Sequence, residues 1–396
     1  MERRKFIKNT VLASSLTLVP SFLKAFETID IKSIGYKRLV IVQLTGGNDG
    51  LNTIIPYRND IYYRSRPKIA IKKNETLRLN DELGFHKSLR PLKHLYDSGD
   101  LCIINNVGYP NPKRSHFKSS DIWHTGTTNK KEQTGWLGRY LDNYGQNAHT
   151  AMQIDESLSL ALKGKFKNGI ATKNATELYR SLQESDFNTI LAYQNSQQHL
   201  NEHNLGYLYR TMIDGKSSAR YLYETTKGTS ISKDYPKNAL GNQLSTVAQF
   251  INSRVATKVF YTSLSGFDTH SNQNAKQDRL LANYADSISA FVKDLKKQNN
   301  FKDTLILTFS EFGRRVSQNY SKGTDHGAAN NVFIIGDQLK KQGLYNNLTT
   351  LQDLDNNGDI KYEIDFRTIY ATILDKWLNV NDQKVLDKSF SKLDFI

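Results

Sequence analysis

The stretch TLILTFSEFGRRVSQNYSKGTDHGAANNVFIIG, residues 304–336, decides how the chain is read. An apolar run, Leu305 to Phe309, stops at Ser310-Glu311 and a Gly-Arg-Arg step. A polar loop leads to Gly323-Thr324-Asp325-His326-Gly327, and a second apolar run covers Val332 to Ile335. Continuous apolar runs bounded by turn residues are what parallel strands buried on both faces look like, and in such sheets ligands gather beyond the strand C-terminal ends. The stretch therefore predicts two buried strands that bring a carboxylate and an Asp-His pair to one rim of a sheet.

Working outward, Arg38 to Leu44 reads as a strand that ends in Thr45-Gly46-Gly47-Asn48-Asp49-Gly50, where glycines let the backbone turn sharply and approach a ligand. Asp49-Gly50 is equally an ordinary turn signal. Lys258 to Leu264 is a further strand, ending in Ser265-Gly266-Phe267-Asp268-Thr269-His270. Leu280, Tyr284, Ile288, Phe291 and Leu295 then recur on one face of a long helix, and Asp365 caps a last helix with Phe366, Ile369, Tyr370, Ile373 and Trp377 on its apolar face. Helices alternating with buried strands imply an α/β fold, a three-layer sandwich around a mostly parallel sheet. Residues 150–257, with helical patterns at Ala175 to Gln183, Leu200 to Thr226 and Ala239 to Ile251, predict a helical insertion that caps the sheet or shapes access to it. Asp353 to Asp359 resembles a calcium loop, but the twelfth position is Ile364 instead of Glu, which favours a hairpin turn.

The chain has 396 residues, enough for a large core, and no internal repeat, so residues 30–396 are expected to form one domain. Its 54 Lys+Arg against 39 Asp+Glu give a net charge of +15. The basic residues are scattered, not striped; they suit an anionic substrate or a solvated surface and do not predict a nucleic-acid interface. At the N-terminus Arg3-Arg4-Lys5 precedes a short, mildly apolar run, Val11 to Pro20. This is the pattern of a twin-arginine export signal within residues 1–29, too short and Pro-interrupted to span a membrane, and it places the mature protein in the periplasm or outside the cell. A single cysteine, Cys102, permits no internal disulfide.

Strand Leu101 to Asn105 is followed by Val107-Gly108-Tyr109-Pro110-Asn111-Pro112-Lys113-Arg114-Ser115-His116-Phe117, a Pro-bearing loop entering a helix. Ser115 at that helix start is either an N-cap or a nucleophile whose transferred group meets the helix N-terminus. Together the strand ends carry Asp49, Asp268 with His270, Glu311, and Asp325 with His326, a carboxylate and imidazole set suited to zinc, manganese or a related divalent ion.

LVIVQLTGGNDGLN, VGYPNPKRSHFKSSDIWHTG, TGWLGRY, GFDTH, SEFGRR, GTDHG and DFRTIYATILDKWL, in this order, resemble the bacterial domain of unknown function family 1501 over nearly the whole mature length. That family looks like a distant branch of the alkaline phosphatase and sulfatase superfamily. The resemblance implies an alkaline-phosphatase-like sheet and hydrolysis or transfer of a phosphate or sulfate ester, on a small molecule or a glycan. It implies Ser115 as nucleophile, Asp49, Asp268, His270, Glu311 and His326 as metal residues with Asp325 adjacent, and Asn48, Arg114, His116 and Arg314 as holders of the anionic group. Phe312 stands where the superfamily has a histidine, so one tightly held zinc or manganese ion is expected, on Asp268, His270 and His326. A second, loose ion is expected on Asp49 and Glu311 unless His116 swings in. Cys102 lacks the Cys-x-Pro-x-Arg context of formylglycine sulfatases. The resemblance also suggests an envelope partner, of domain of unknown function family 1800, and the alternative of a non-catalytic binding or assembly protein.

Overall fold

The computed structural model describes residues 37–129, 131–184, 203–348 and 350–396. The expected export signal, residues 1–29, lies outside them, and so does the start of the expected 200–226 helix. The apolar runs become strands of one nine-stranded sheet: β1 Arg38–Thr45, β2 Leu101–Gly108, β3 Ala151–Gln153, β4 Ile170–Ala171, β5 Val259–Ser265, β6 Thr304–Phe309, β7 Asn330–Ile335, β8 Gly343–Leu344 and β9 Ile364–Asp365. Their spatial order is β8-β2-β7-β6-β1-β5-β3-β4, with β9 also on β2. β1 lies at the centre, with Ile41 opposite both Tyr261 of β5 and Leu307 of β6 in parallel register.

Strand side chains alternate between the two faces, and here both faces are buried. Val40, Val42, Phe260, Ile306 and Phe333 join one core with helices α1 Arg90–Asp97, α5 Ala239–Asn252 and α6 Gln273–Lys297. Leu39, Ile41, Tyr261, Leu307 and Ile334 join another with α2 His116–Thr125, α3 Trp136–Tyr144 and α7 Phe366–Thr372. The result is the expected three-layer α/β sandwich with a mostly parallel sheet. On α6 the predicted face, Leu280, Tyr284, Ile288, Phe291 and Leu295, is buried throughout. At about 1.5–3 kcal/mol per large apolar side chain, that stripe alone is enough to fix the helix to the sheet.

Two features differ from the expectation. Within this sheet β7 is the one described strand that runs antiparallel to its neighbours, β2 and β6. A buried strand shows the same apolar run in either direction, so the sequence pattern does not carry strand polarity. The consequence is favourable: Asp325 and His326, which precede β7, reach the same rim as residues that follow β1, β5 and β6. Secondly, the 150–257 segment is not wholly helical. It opens with β3 and β4, which extend the sheet edge beside β5, before α4 His203–Thr226 and α5. Strands of two or three residues are too short to show alternation.

The Asp353 to Asp359 segment closes as a turn, with Leu354 paired antiparallel to Ile360 and Gly358 at φ 77°. No helix among the described residues is long and apolar enough to cross a membrane.

Candidate metal centre

The rim is held together by one buried arginine. Arg314, which follows β6, donates from Nε to the Gly47 carbonyl at 2.6 Å and from Nη1 to the Thr324 carbonyl at 2.7 Å. Its Nη2 donates to the carbonyls of Gly46 and Phe267 and, at 2.7 Å, to Asp268 Oδ1. The loops after β1 and β5 and the loop before β7 are thus stitched to one guanidinium whose planar fork suits several acceptors at once. The backbone crosses itself here, Arg314 pairing with His326, and close approach requires glycine: a Cβ on Gly327 would lie 2.5 Å from the Arg314 carbonyl carbon.

On this frame three histidines share one arrangement. His116 Nδ1 lies 2.9 Å from Glu311 Oε1, His270 Nδ1 lies 3.1 Å from Asp325 Oδ1, and His326 Nδ1 lies 2.7 Å from the Arg114 carbonyl. A carbonyl or an ionised carboxylate can only accept, so each Nδ1 carries the hydrogen, and in the neutral ring each Nε2 presents a lone pair. All three Nε2 atoms converge on Asp268 Oδ1, at 3.4 Å for His116, 2.9 Å for His270 and 3.2 Å for His326. The Nε2 atoms of His270 and His326 stand 2.9 Å apart, and His116 Nε2 is buried without a hydrogen-bond partner.

Lone pairs facing one another and a carboxylate repel unless a cation lies among them. Ligands bonded to one ion at about 2.0–2.2 Å stand about 2.9–3.4 Å apart, so these separations suit one four- to six-coordinate ion. His116, Asp268 and His326 offer ligand atoms all within 4.8 Å of one another. His270, 2.9 Å from two of them, completes the set. Tying the far ring nitrogen of a ligating histidine to a carboxylate or carbonyl is the usual way to fix its tautomer and orientation.

Charge is tuned accordingly. Burial would raise the Asp268 carboxyl, but the hydrogen bond and charge of Arg314 outweigh it and hold the group down at about 2. The hydrogen bond to Glu311 raises His116 above the ordinary histidine value, whereas burial lowers His326. Asp325 is likewise lowered, the bonds from Asn319 and His270 overcoming its partial burial.

Several predicted roles change on this geometry. Asp49 is not brought to the cluster: it is fully buried, paired with Arg66 through both oxygens at 2.7 and 3.1 Å and hydrogen bonded to Leu51 N and Gln273. Asn48 is also buried, its amide bound to Thr53 and Gln277. Glu311 and Asp325 orient His116 and His270 instead of facing the convergence point. Arg314 is spent on the loops. Arg114 turns away to Asp359 and Asp355, at 2.6 and 2.8 Å, so neither arginine is available to grip an anion. His116, predicted beside the anion, instead aims Nε2 at the convergence point, its ring packed against Phe312 at 4.9 Å.

Ser115 sits where the sequence put it, as the residue capping α2, but its side chain makes no capping bond and has no hydrogen-bond partner among the described residues. Its hydroxyl is therefore free, one residue from His116 and one from the carbonyl that holds His326.

The sequence matches the family described as Protein of unknown function (DUF1501) over residues 36–390. No curated protein matches it. Among solved structures, the zinc complex of the C-terminal periplasmic domain of EcEptC from Escherichia coli is similar, at 11% identity and TM-score 0.39, covering 87% of this chain and 83% of that one. A protein in the alkaline phosphatase superfamily from Vibrio parahaemolyticus is similar at 11% identity and TM-score 0.39, covering 91% and 71%. The PsFucS1 sulfatase from Pseudoalteromonas sp. is similar at 14% identity and TM-score 0.39, covering 90% and 70%. Likenesses this loose carry no weight for the chemistry, which rests on the side chains.

Proposed function

The chain belongs to the DUF1501 family, and we propose that it is a metal-dependent hydrolase or transferase acting on a phosphate or sulfate ester, exported by the twin-arginine route. The observation that carries this reading is the convergence of three oriented histidine nitrogens on Asp268, one of them from the residue that follows a serine whose hydroxyl is left free at a helix start. Nitrogen-rich donor sets with one carboxylate favour zinc or manganese over magnesium or calcium. A bound ion of this kind polarises the ester, lowers the pKa of a coordinated hydroxyl or water, and stabilises the leaving oxygen.

The protein's own residues do the rest. Ser115 attacks through Oγ, losing its proton to solvent as the Oγ–P or Oγ–S bond forms. The ester oxygen leaves, taking up a proton, and water or an acceptor hydroxyl then takes the group from Ser115. The oxygens of the transferred group face the first N–H groups of α2 and the positive end of its dipole, which serve where an arginine clamp was expected. Arg66 and Arg314 keep the loops rigid, so little reorganisation accompanies charge development.

The substrate is then an anionic ester, of a small molecule or a glycan. A partner of domain of unknown function family 1800 in the envelope remains part of the proposal.

Elemental analysis and turnover test it together. Wild type after dialysis should hold close to one zinc or manganese ion per chain and cleave an aryl phosphate or sulfate. Ser115→Ala should keep the ion and the fold but lose several orders of magnitude in rate. Full activity in Ser115→Ala would make water the nucleophile. A metal-free, inactive wild type would favour the non-catalytic envelope protein.

A further inference from the structure

Residues 113–116 form a strap that carries three parts of the site: the Arg114 carbonyl, the Ser115 hydroxyl and the His116 ring. Its support comes from far along the chain. Arg114 Nε donates to Asp359 Oδ2 at 2.6 Å, and Nη2 donates to Asp355 Oδ2 at 2.8 Å and to Asp359 Oδ2. The Asp359 side chain is fully buried. Its Oδ1 has no hydrogen-bond partner and stands 4.0 Å from Arg315 Nε, a buried donor that also lacks one. The Arg315 backbone in turn donates to the Asp325 carbonyl, directly before His326. Asp359 therefore sits between the two segments that bring His116 and His326 together.

A buried carboxylate with an unsatisfied oxygen is a poor device for stability alone, because desolvation offsets most of the Coulomb gain. The cost makes sense if position is what it secures. We infer that Asp359, with Asp355, is a positioning residue of the metal centre: it pins Arg114 so that the Arg114 carbonyl accepts from His326 Nδ1 and turns His326 Nε2 toward Asp268. The inference rests on the metal-site reading above and adds a residue 33 positions beyond His326 that touches no ligand atom. Lysine cannot replace Arg114 here, since a single ammonium on a flexible stem lacks the fork that spans both carboxylates.

The test uses the full mature chain, stripped with a chelator and titrated with Zn2+ against a chromophoric competitor. Loss of a residue that orients a ligand typically weakens metal binding 10–100-fold, and for one acting through a backbone carbonyl we expect about tenfold in Arg114→Lys and in Asp359→Asn. A purely structural role would not move the second readout, the Nδ1–H signal of His326 in histidine-labelled, zinc-free protein. That signal should exchange-broaden or give way to the other tautomer in both variants and persist in Lys173→Gln, which breaks an exposed ion pair with Glu156. Folded Arg114→Lys with wild-type zinc affinity and an unchanged His326 signal would overturn the inference. If Asp359→Asn does not fold, Arg114→Lys and Asp355→Asn decide. If wild type itself binds no zinc, the metal reading falls, while the clamp is still judged on the His326 signal.

Discussion

Asp49 offers the sharpest test of how the rim is divided between structure and chemistry. The sequence places it at a strand end like a ligand, whereas the structure seals it with Arg66, both side chains fully buried. Asp49→Asn keeps the shape but removes the charge and sets an amide N–H2 against donors from Arg66 or Gln273. Breaking a buried pair by neutralising one partner costs about 3–5 kcal/mol, because the other charge stays behind uncompensated. At about 2 °C per kcal/mol, suited to a large domain, melting should fall by about 6–10 °C. Arg66 also holds the Val316 and Arg315 carbonyls, at 2.8 Å each, so Asp49→Leu with Arg66→Met should recover part of the loss, not all of it. Calorimetry measures the first quantity and elemental analysis the second: metal per chain should stay at the wild-type level in Asp49→Asn. A variant that melts like wild type yet loses its ion would refute the assignment and return Asp49 to the ligand set.

His326→Ala should bring the metal content close to zero, since it removes the nitrogen that stands 2.9 Å from His270 Nε2 and 3.2 Å from Asp268 Oδ1; two retained ions in wild type would contradict a single centre. In metal-stripped protein the raised pKa of His116 stabilises the fold fully below the ordinary histidine value of 6.5, and this contribution is lost as pH rises through the raised value. Melting of the stripped protein should therefore decline above about pH 6.5 while the increment produced by Zn2+ grows over the same window, and Glu311→Gln should move both to lower pH. Changing Arg3 and Arg4 together to lysine should leave the protein in the cytoplasm, and unchanged delivery to the periplasm on fractionation would reject the twin-arginine reading.

The elements were legible where burial imposes a pattern. Strands β1, β5 and β6 show as mostly apolar runs, and α6 shows its face at helical spacing because it packs on the sheet along its length. The rim residues Asp268, His270 and His326 were legible because polar groups directly adjoining a buried run stand out. The partners that settle each role were not. Arg314 meets Gly47 across 267 positions, Arg66 meets Val316 across 250, and Arg114 meets Asp359 across 245. A local window shows an arginine near a carboxylate-rich rim; it does not show that five acceptors already occupy it. Strand polarity was hidden for a similar reason, since β7 is as apolar as a parallel neighbour and its direction is set by chain connection.

Phe312 bears on the proposal that the centre takes a single ion. The resemblance asks for a histidine there, beside Glu311, to serve a second ion; the phenyl ring instead packs between His116 and His326, at 4.9 and 4.8 Å, and fills the space over Gly47. With that nitrogen absent, Glu311 has no imidazole of its own strand end to share an ion with, and it turns to Gly46 N and His116 Nδ1, at 2.8 and 2.9 Å. His116 thereby aims its Nε2 at Asp268 Oδ1, while Asp49 is spent on Arg66. Restoring a histidine at 312 would not restore a second site by itself: Glu311 would still be committed to His116 and Asp49 to Arg66. Phe312→His should accordingly leave the metal count unchanged, and a gain of a second tightly held ion in that variant would show that the two carboxylates are free to reorganise.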